Sequence, residues 1–235
     1  MIAATFATLY QPGDVCEVRA ILRDKHGLSP HWAGWSSGIV YGYFDNGADL
    51  ASAVQPLDDA GLCSGIYVTL NPVQPDLLAV AMNRLRGLRK ADNIDLAADV
   101  NIVRRRWILV DVDPARSVGK VDVSSTKEEL KIAVDVAKQV KEYNRGRGLD
   151  EPLTALSGNG IHLLYAVDLP NDDKSRDDIQ GVLNLLSRLF STPQVKIDVS
   201  VFNASRITKL YGTVARKGDN HPLRPWRRSE LITMR

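Results

Sequence analysis

An α+β fold is predicted by three observations. Elements run strand, helix, strand, strand, helix, strand between residues 105 and 201, an Asn-Gly turn joins the two middle strands, and short strands alternate with amphipathic helices across residues 1–100. The six-element order is the split βαβ, RRM-like (βαββαβ) plan, an antiparallel sheet with both helices on one face. It assigns residues 101–235 to an RRM-like module, packed with an N-terminal α/β module of residues 1–100 into one body.

In the N-terminal module, runs of alternating apolar residues predict strands over Glu17 to Leu22, Gly38 to Phe44 and Gly65 to Leu70. Helical spacing predicts helices over Asp49 to Leu57 and Pro75 to Leu88, and the polar stretch Arg89 to Asp99 reads as a loop. Beyond it, Arg105 to Asp113 is the first strand of the second module. Ser124 to Thr126 cap a helix to Tyr143 with Leu130, Val134, Ala137 and Val140 at helical spacing, and Arg145-Gly146-Arg147-Gly148 stops it. Two strands follow, Leu153 to Ser157 and Ile161 to Val167, around Gly158-Asn159-Gly160. A helix over Arg176 to Phe190 carries Ile179, Val182, Leu183, Leu186 and Leu189 on one stripe, and Val195 to Val201 is the last strand. In this topology the first strand lies between the third and fourth, so those three share an open face.

With 235 residues and 44% hydrophobic content the chain can bury a substantial core, which excludes a disordered protein. A net charge of +2 does not by itself announce a nucleic-acid partner, so local charge must carry that argument. Two cysteines, Cys16 and Cys63, and four histidines cannot build a cysteine-rich zinc site and read as buried thiols in a reducing compartment. No apolar run approaches the roughly 20 residues of a membrane span, and Met1-Ile2-Ala3-Ala4 lacks the charged start of a signal peptide. A soluble cytoplasmic protein with no membrane partner is expected. The tail from His221 to Arg228 would suit a domain of a longer polypeptide.

The chemistry concentrates on the open face. Asp111 and Asp113 close the run Trp107-Ile108-Leu109-Val110, and two-residue spacing on a strand sends both carboxylates to one side. Carboxylates that close repel unless a cation sits between them, which suits a metal platform; strand-end solvation is the bland alternative. In the last strand Val195, Ile197, Val199 and Val201 alternate with Lys196, Asp198 and Ser200, so Asp198 faces out as a third acid. Taking Asn159-Gly160 as the turn sets Gly158 opposite Ile161 and Ser157 opposite His162, on a strand bordering the acidic one. Gly158 and Gly160 then allow a phosphate to approach the backbone of this Gly158-Asn159-Gly160 loop. After Asp198 come Arg206, Lys209 and Lys217, which suit a polyphosphate unless they are ordinary surface cations. Three carboxylates, a Ser/His pair and these cations describe a site where two divalent ions, magnesium or manganese, hold a nucleoside triphosphate.

At these residues the chain resembles the archaeo-eukaryotic primase (AEP) superfamily, the primase-polymerases (prim-pols) of plasmid, phage and CRISPR-associated bacterial type. The resemblance rests on Asp111-Val112-Asp113, Ser157-Gly158-Asn159-Gly160-Ile161-His162 and Asp198, in that order, and covers roughly residues 100 to 220 by motif. Residues 36 to 85, with Gly42-Tyr43-Phe44-Asp45 and Tyr67-Val68-Thr69-Leu70-Asn71-Pro72, resemble the family's bacterial N-terminal module. It implies the AEP prim-pol fold and DNA-directed primer synthesis or extension. It also implies that the three aspartates hold metal, that His162, with Ser157 of the same motif, contacts the incoming NTP or dNTP, and that Arg206 to Lys209 grip phosphate. The implied partners are a single-stranded DNA template or primer and a fused or associated helicase, nuclease or CRISPR component. Many primases carry a zinc-binding insertion; this chain has no cysteines for one, so no zinc is expected.

Template contacts are expected from Arg104, Arg105 and Arg106, from Arg84, Arg86, Arg89 and Lys90, and from Arg224, Arg227 and Arg228, with Asn71 beside them. Trp32, Trp35, Tyr43 and Trp226 are candidates to stack on bases. Two alternatives stay open. A non-catalytic RRM-like module would carry aromatics on its first and third strands, where this chain has Asp111, Asp113 and His162. A metal-dependent nuclease or phosphotransferase would use the same carboxylates but gives no reason for the Ser/His hairpin.

Overall fold

Every second residue of β1 (Cys16–Leu22) is apolar and buried, so the strand offers one continuous face to a core. The computed structural model, which describes residues 1–23, 38–88, 96–118 and 122–232, pairs β1 antiparallel with β2 (Ile39–Phe44) and β3 (Cys63–Thr69). All three match the expected strands. Between β2 and β3 runs α2 (Gly47–Asp59), capped by the Asn46 side chain, which accepts from the Asp49 amide at 2.9 Å. Cys16 and Cys63 are buried free thiols in these strands.

Two features of this half depart from expectation. Residues Ile2–Leu9 form a helix, α1, that buries Ile2, Thr5, Phe6 and Leu9 and packs on α2. It is short and has no capping side chain, so it carries little local signal. The expected helix over Pro75 to Leu88 is instead a 3₁₀ segment, Pro75–Val80, followed by a two-residue strand, β4 (Arg86–Gly87). Asn83 between them takes φ 49°, a left-handed conformation that breaks a helix, and its amide donates to Tyr43 O at 2.8 Å.

The second sheet is built on β5 (Arg105–Pro114), β6 (Leu153–Leu156), β7 (Ile161–Leu169) and β8 (Val195–Ile197), with α3 (Lys127–Arg145) after β5 and α4 (Asp173–Phe190) after β7. All pairings are antiparallel, and β5 lies between β7 and β8. The helices pack on each other and on the sheet, α3 against β5, β7 and β8 and α4 against β8. Helix α4 begins three residues earlier than its apolar pattern suggests, because Asp172 caps it by accepting from the Ser175 amide at 2.8 Å. Ile179, Leu183 and Leu186 are buried, whereas Val182 and Leu189 face outward, 41% and 49% exposed.

Past β8 the chain crosses back. Strand β9 (Ile207–Lys209) joins the first sheet beside β3, in the order β4-β2-β1-β3-β9. A short pair, β10 (Val214–Ala215) with β11 (Arg227–Arg228), then leads to β12 (Glu230–Ile232), which adds to the outer edge of β6. Residues 207–209 thus belong to the first sheet although they come after the whole βαββαβ run, and one hydrophobic core cluster spans both sheets.

Glu129 anchors this return. Its carboxylate completes the α3 capping box with Thr126, accepts from the Ser117 amide at 2.7 Å, and takes two bonds of 2.9 Å from Arg224. Burial opposes its ionisation, but Arg224 and the two amides outweigh burial and hold the carboxyl down at about 2, against 4.5 for a free glutamate. A depressed folded pKa means that the stabilisation is present above pH 4.5 and is lost as pH falls toward 2. Glu129→Gln is therefore expected to cost about 2 kcal/mol at neutral pH in denaturant titration. The gap to wild type should close as pH approaches 2.

Candidate active site

Register brings the acids together. Asp111 sits directly across from His162 on β7, and Val112 and Asp113 pair with Ile197 and Lys196 on β8. Asp198 lies one residue past the end of β8, its amide donating to Asp111 O at 3.0 Å. The expected strand to Val201 stops here because the Asp198 carboxylate folds back on its own chain, accepting from the Ser200 amide at 2.8 Å and hydroxyl at 2.7 Å. Val199 consequently lines the cleft, where alternation had placed it toward the helices. The cleft has a volume of about 820 Å³ and is walled by Asp111, Asp113 and Asp198 with Arg116, Asp122, Lys196 and Lys217.

Each of the three acids faces its own basic side chain. His162 Nε2 is 3.5 Å from Asp111, Arg116 is 3.3 Å from Asp113, and Arg206 is 3.7 Å from Asp198. Turned toward these partners, the carboxylates form no ready cage: among the described residues no three His, Cys, Asp or Glu side chains gather closely enough to hold a metal ion. Their electrostatics nevertheless record the crowding. Burial, and then repulsion from Asp198, push the Asp111 carboxyl up to about 6, against the pull of Arg206, Lys217 and Arg116. Asp113 is raised by burial and by Asp111, with Arg116 holding it back.

His162 is buried on the same side, and its Nδ1 lies 2.8 Å from the Tyr211 hydroxyl and 3.3 Å from that of Thr208. Burial pulls its pKa down to about 4, opposed by Asp113 and reinforced by Arg206 and Lys209. Lys217 lines the cleft 3.8 Å from Asp122. Lys209 turns away from it: its buried ammonium donates to Val214 O at 3.1 Å, and burial lowers its pKa to about 7.

The hairpin differs from its expected register. Ser157 N donates to Gly160 O, so Gly158-Asn159 forms the turn and Ala155, not Ser157, stands opposite His162. The Ser157 hydroxyl is engaged within the turn, accepting from the Gly160 amide at 3.0 Å, and Asn159 Oδ1 accepts from the Ser125 amide at 2.9 Å. The glycines are needed by protein neighbours. A Cβ at Gly160 would stand 2.6 Å from Val112 O and 3.1 Å from Asp113 Oδ1; at Gly158, where φ is 101°, it would meet Ala215 Cβ at 2.6 Å.

Several expected template contacts are occupied elsewhere. Tyr43 is fully buried with its hydroxyl 3.2 Å from Glu17, so its ring has no face for a base. Asn71 is buried too, accepting from the Arg106 amide at 2.8 Å and donating to Ala204 O. Arg104 pairs with Asp168, Arg105 donates to Phe202 O, and Arg106 pairs with Asp14. Arg84 and Arg86 donate to Met82 O and Val80 O. Arg224, Arg227 and Arg228 tie the C-terminal segment to Glu129, Ser125 and Asp58. The Trp226 ring is covered by Arg23 at 4.4 Å. Trp32, Trp35, Arg89 and Lys90 lie outside the described residues. Sequence reasoning missed Arg116, which stands just three positions after Asp113, and Tyr211, which gives no local signal 49 residues from its partner.

No protein-family model and no curated protein matches the chain. Among solved structures, the polymerase domain from Mycobacterium tuberculosis ligase D in complex with DNA matches with a TM-score of 0.51 and 16% identity, covering 96% of this chain and 78% of that one. The likeness is one of fold. It extends over both sheets, and no described helix is long and apolar enough to cross a membrane.

Because Gly160 packs on the backbone that carries Asp113, Gly160→Ala is expected to lower stability by about 1–3 kcal/mol. Thermal unfolding beside Gly181→Ala, whose Cβ would meet nothing within 4 Å, checks this.

Proposed function

We propose that the chain is a DNA-directed nucleotidyltransferase of the primase-polymerase type, which adds nucleotides from NTP or dNTP to a 3′-hydroxyl on a single-stranded DNA template. The observation that carries this reading is the convergence of Asp111, Asp113 and Asp198 on one cleft, each matched by a basic side chain. A likeness in fold to a polymerase domain supports it. In this reading β5 to β8 with α3 and α4, within residues 101–235, are an RRM-like catalytic sheet of the AEP prim-pol plan, and the first sheet of residues 1–100, joined by β9, braces it.

The donor set fits a hard divalent cation: three carboxylates offer oxygen ligands, and burial penalises the uncompensated charge of Asp111 and Asp113. Asp111, Asp113 and Asp198 would hold two magnesium or manganese ions, which when bound supply Lewis acidity toward the attacking hydroxyl and the α-phosphate. The cleft volume lies in the range that small-molecule ligands occupy. Arg116, Arg206 and Lys217, standing against the carboxylates, are positioned to meet triphosphate oxygens: arginines through forked hydrogen bonds, lysine as a point charge. His162 offers Nε2 beside Asp111 for a further phosphate contact. Ser157, Gly158, Asn159 and Gly160 act by fixing the hairpin against β5, and Lys209 by tying β9 to the Val214 carbonyl.

The test is extension of a labelled primer on a single-stranded template with manganese or magnesium. Asp111→Asn and Asp113→Asn are each expected to lower the rate by about two orders of magnitude or more, with folding intact by circular dichroism. Full-rate synthesis by both variants would overturn the proposal. Unprimed templates in the same assay separate primer initiation from extension.

A further inference from the structure

We infer that Tyr211 is a positioning residue that, together with the Asp111 carboxylate on the other ring nitrogen, holds His162 in one tautomer, so that the imidazole presents an Nε2–H to the acidic cleft. Its hydroxyl lies 2.8 Å from Nδ1 and the two rings meet edge to face at 5.9 Å, while Nε2 faces the Asp111 carboxylate at 3.5 Å. A carboxylate only accepts, so the proton belongs on Nε2, and Nδ1 must then accept from the buried hydroxyl. Thr208 stands 3.3 Å from Nδ1 and 3.4 Å from the Tyr211 oxygen, and is placed as a weaker second donor.

Tyr211 is itself held on several sides. It is fully buried, and its carbonyl accepts from the Thr5 hydroxyl of α1 at 2.9 Å. The next residue, Gly212, takes φ 102° against α1, where a Cβ would stand 3.1 Å from Ile2 N. The Gly212 amide donates to Ser229 O at 2.7 Å. The otherwise unexplained return of the chain to the first sheet after Asp198 thus delivers a hydroxyl to the back of the histidine.

The catalytic consequence rests on the proposed function: an Nε2–H can donate to a phosphate oxygen of the incoming nucleotide, whereas a bare Nε2 would repel it. The tautomer does not depend on that reading and is measured in the free protein. In ¹⁵N-histidine-labelled protein, with the His162 signals assigned by their absence in His162→Gln, wild type is expected to show a protonated Nε2 and a bare, accepting Nδ1. Protonation at Nδ1, in either the other tautomer or the imidazolium at neutral pH, would overturn the inference. Tyr211→Phe keeps the ring and removes the hydroxyl. It should populate the Nδ1–H form and raise the nucleotide KM about tenfold with a smaller change in kcat, more than Thr208→Val does. An unchanged His162 spectrum in folded Tyr211→Phe would also overturn it. If Tyr211→Phe does not fold, the wild-type spectrum alone decides. If the tautomer shifts in a protein that makes no product on any template, the positioning role stands and the polymerase reading falls.

Discussion

Burial of the Asp111 and Asp113 carboxylates, sharpened by repulsion from the neighbouring acids of one cleft, is the constraint around which the site is arranged. Each acid has a nitrogen-bearing partner from a different part of the chain, a guanidinium for Asp113 and Asp198 and the neutral imidazole of His162 for Asp111. Asp113 finds Arg116 in the loop just after β5, Asp111 finds His162 across the β5–β7 ladder, and Asp198 finds Arg206 on the path back to the first sheet. A buried carboxylate without a partner would protonate, and the upward shift of Asp111 to about 6 records how incompletely these neighbours offset burial. Such an arrangement is stable enough to fold, yet its electrostatic demand is met only in part.

Strand order supplies the geometry, and the return of the chain supplies the support. Placing β5 between β7 and β8 puts the acids beside His162 on one flank and Asp198 on the other. The segment beyond Asp198 enters the first sheet as β9, and fully buried Asp58 at the end of α2 secures the stretch after β9 by taking Arg216 at 2.7 Å and the Val214 amide at 3.1 Å. The cleft is therefore braced by both sheets, and its histidine is backed by residues from the returning strand and by α1.

The strands and long helices were legible in the sequence because each carries its own periodicity: Leu130, Val134, Ala137 and Val140 with the caps at Ser124 to Thr126 for α3, helical spacing for α2, and alternating apolar residues in β1 to β3. The acidic pair was legible for the same reason, since strand spacing alone fixes its shared face. The features that escaped depend on distant partners. The hairpin register slipped because Asn-Gly predicts a turn but not whether Ser157 will staple it, and a shift in register moved Ser157 from His162 to Gly160. Tyr43 and Asn71 looked like surface chemistry until tertiary packing buried them, and Asn83 turned an apparent helix into a 3₁₀ segment and a short strand. The glycines of the hairpin have neighbours that sequence cannot name, namely Val112 and Asp113 for Gly160 and Ala215 for Gly158.

In the proposed function the three aspartates exchange their basic partners for divalent cations. Manganese binding measures this most directly, by calorimetry and by the electron paramagnetic resonance of free Mn²⁺, on wild type and Asp198→Asn with and without a non-hydrolysable nucleoside triphosphate. Wild type is expected to bind manganese, more tightly with the triphosphate present because the displaced arginines then have phosphates to meet, and Asp198→Asn to lose about tenfold or more in affinity. Manganese affinity that is absent in wild type, or unchanged in the variant, would contradict it.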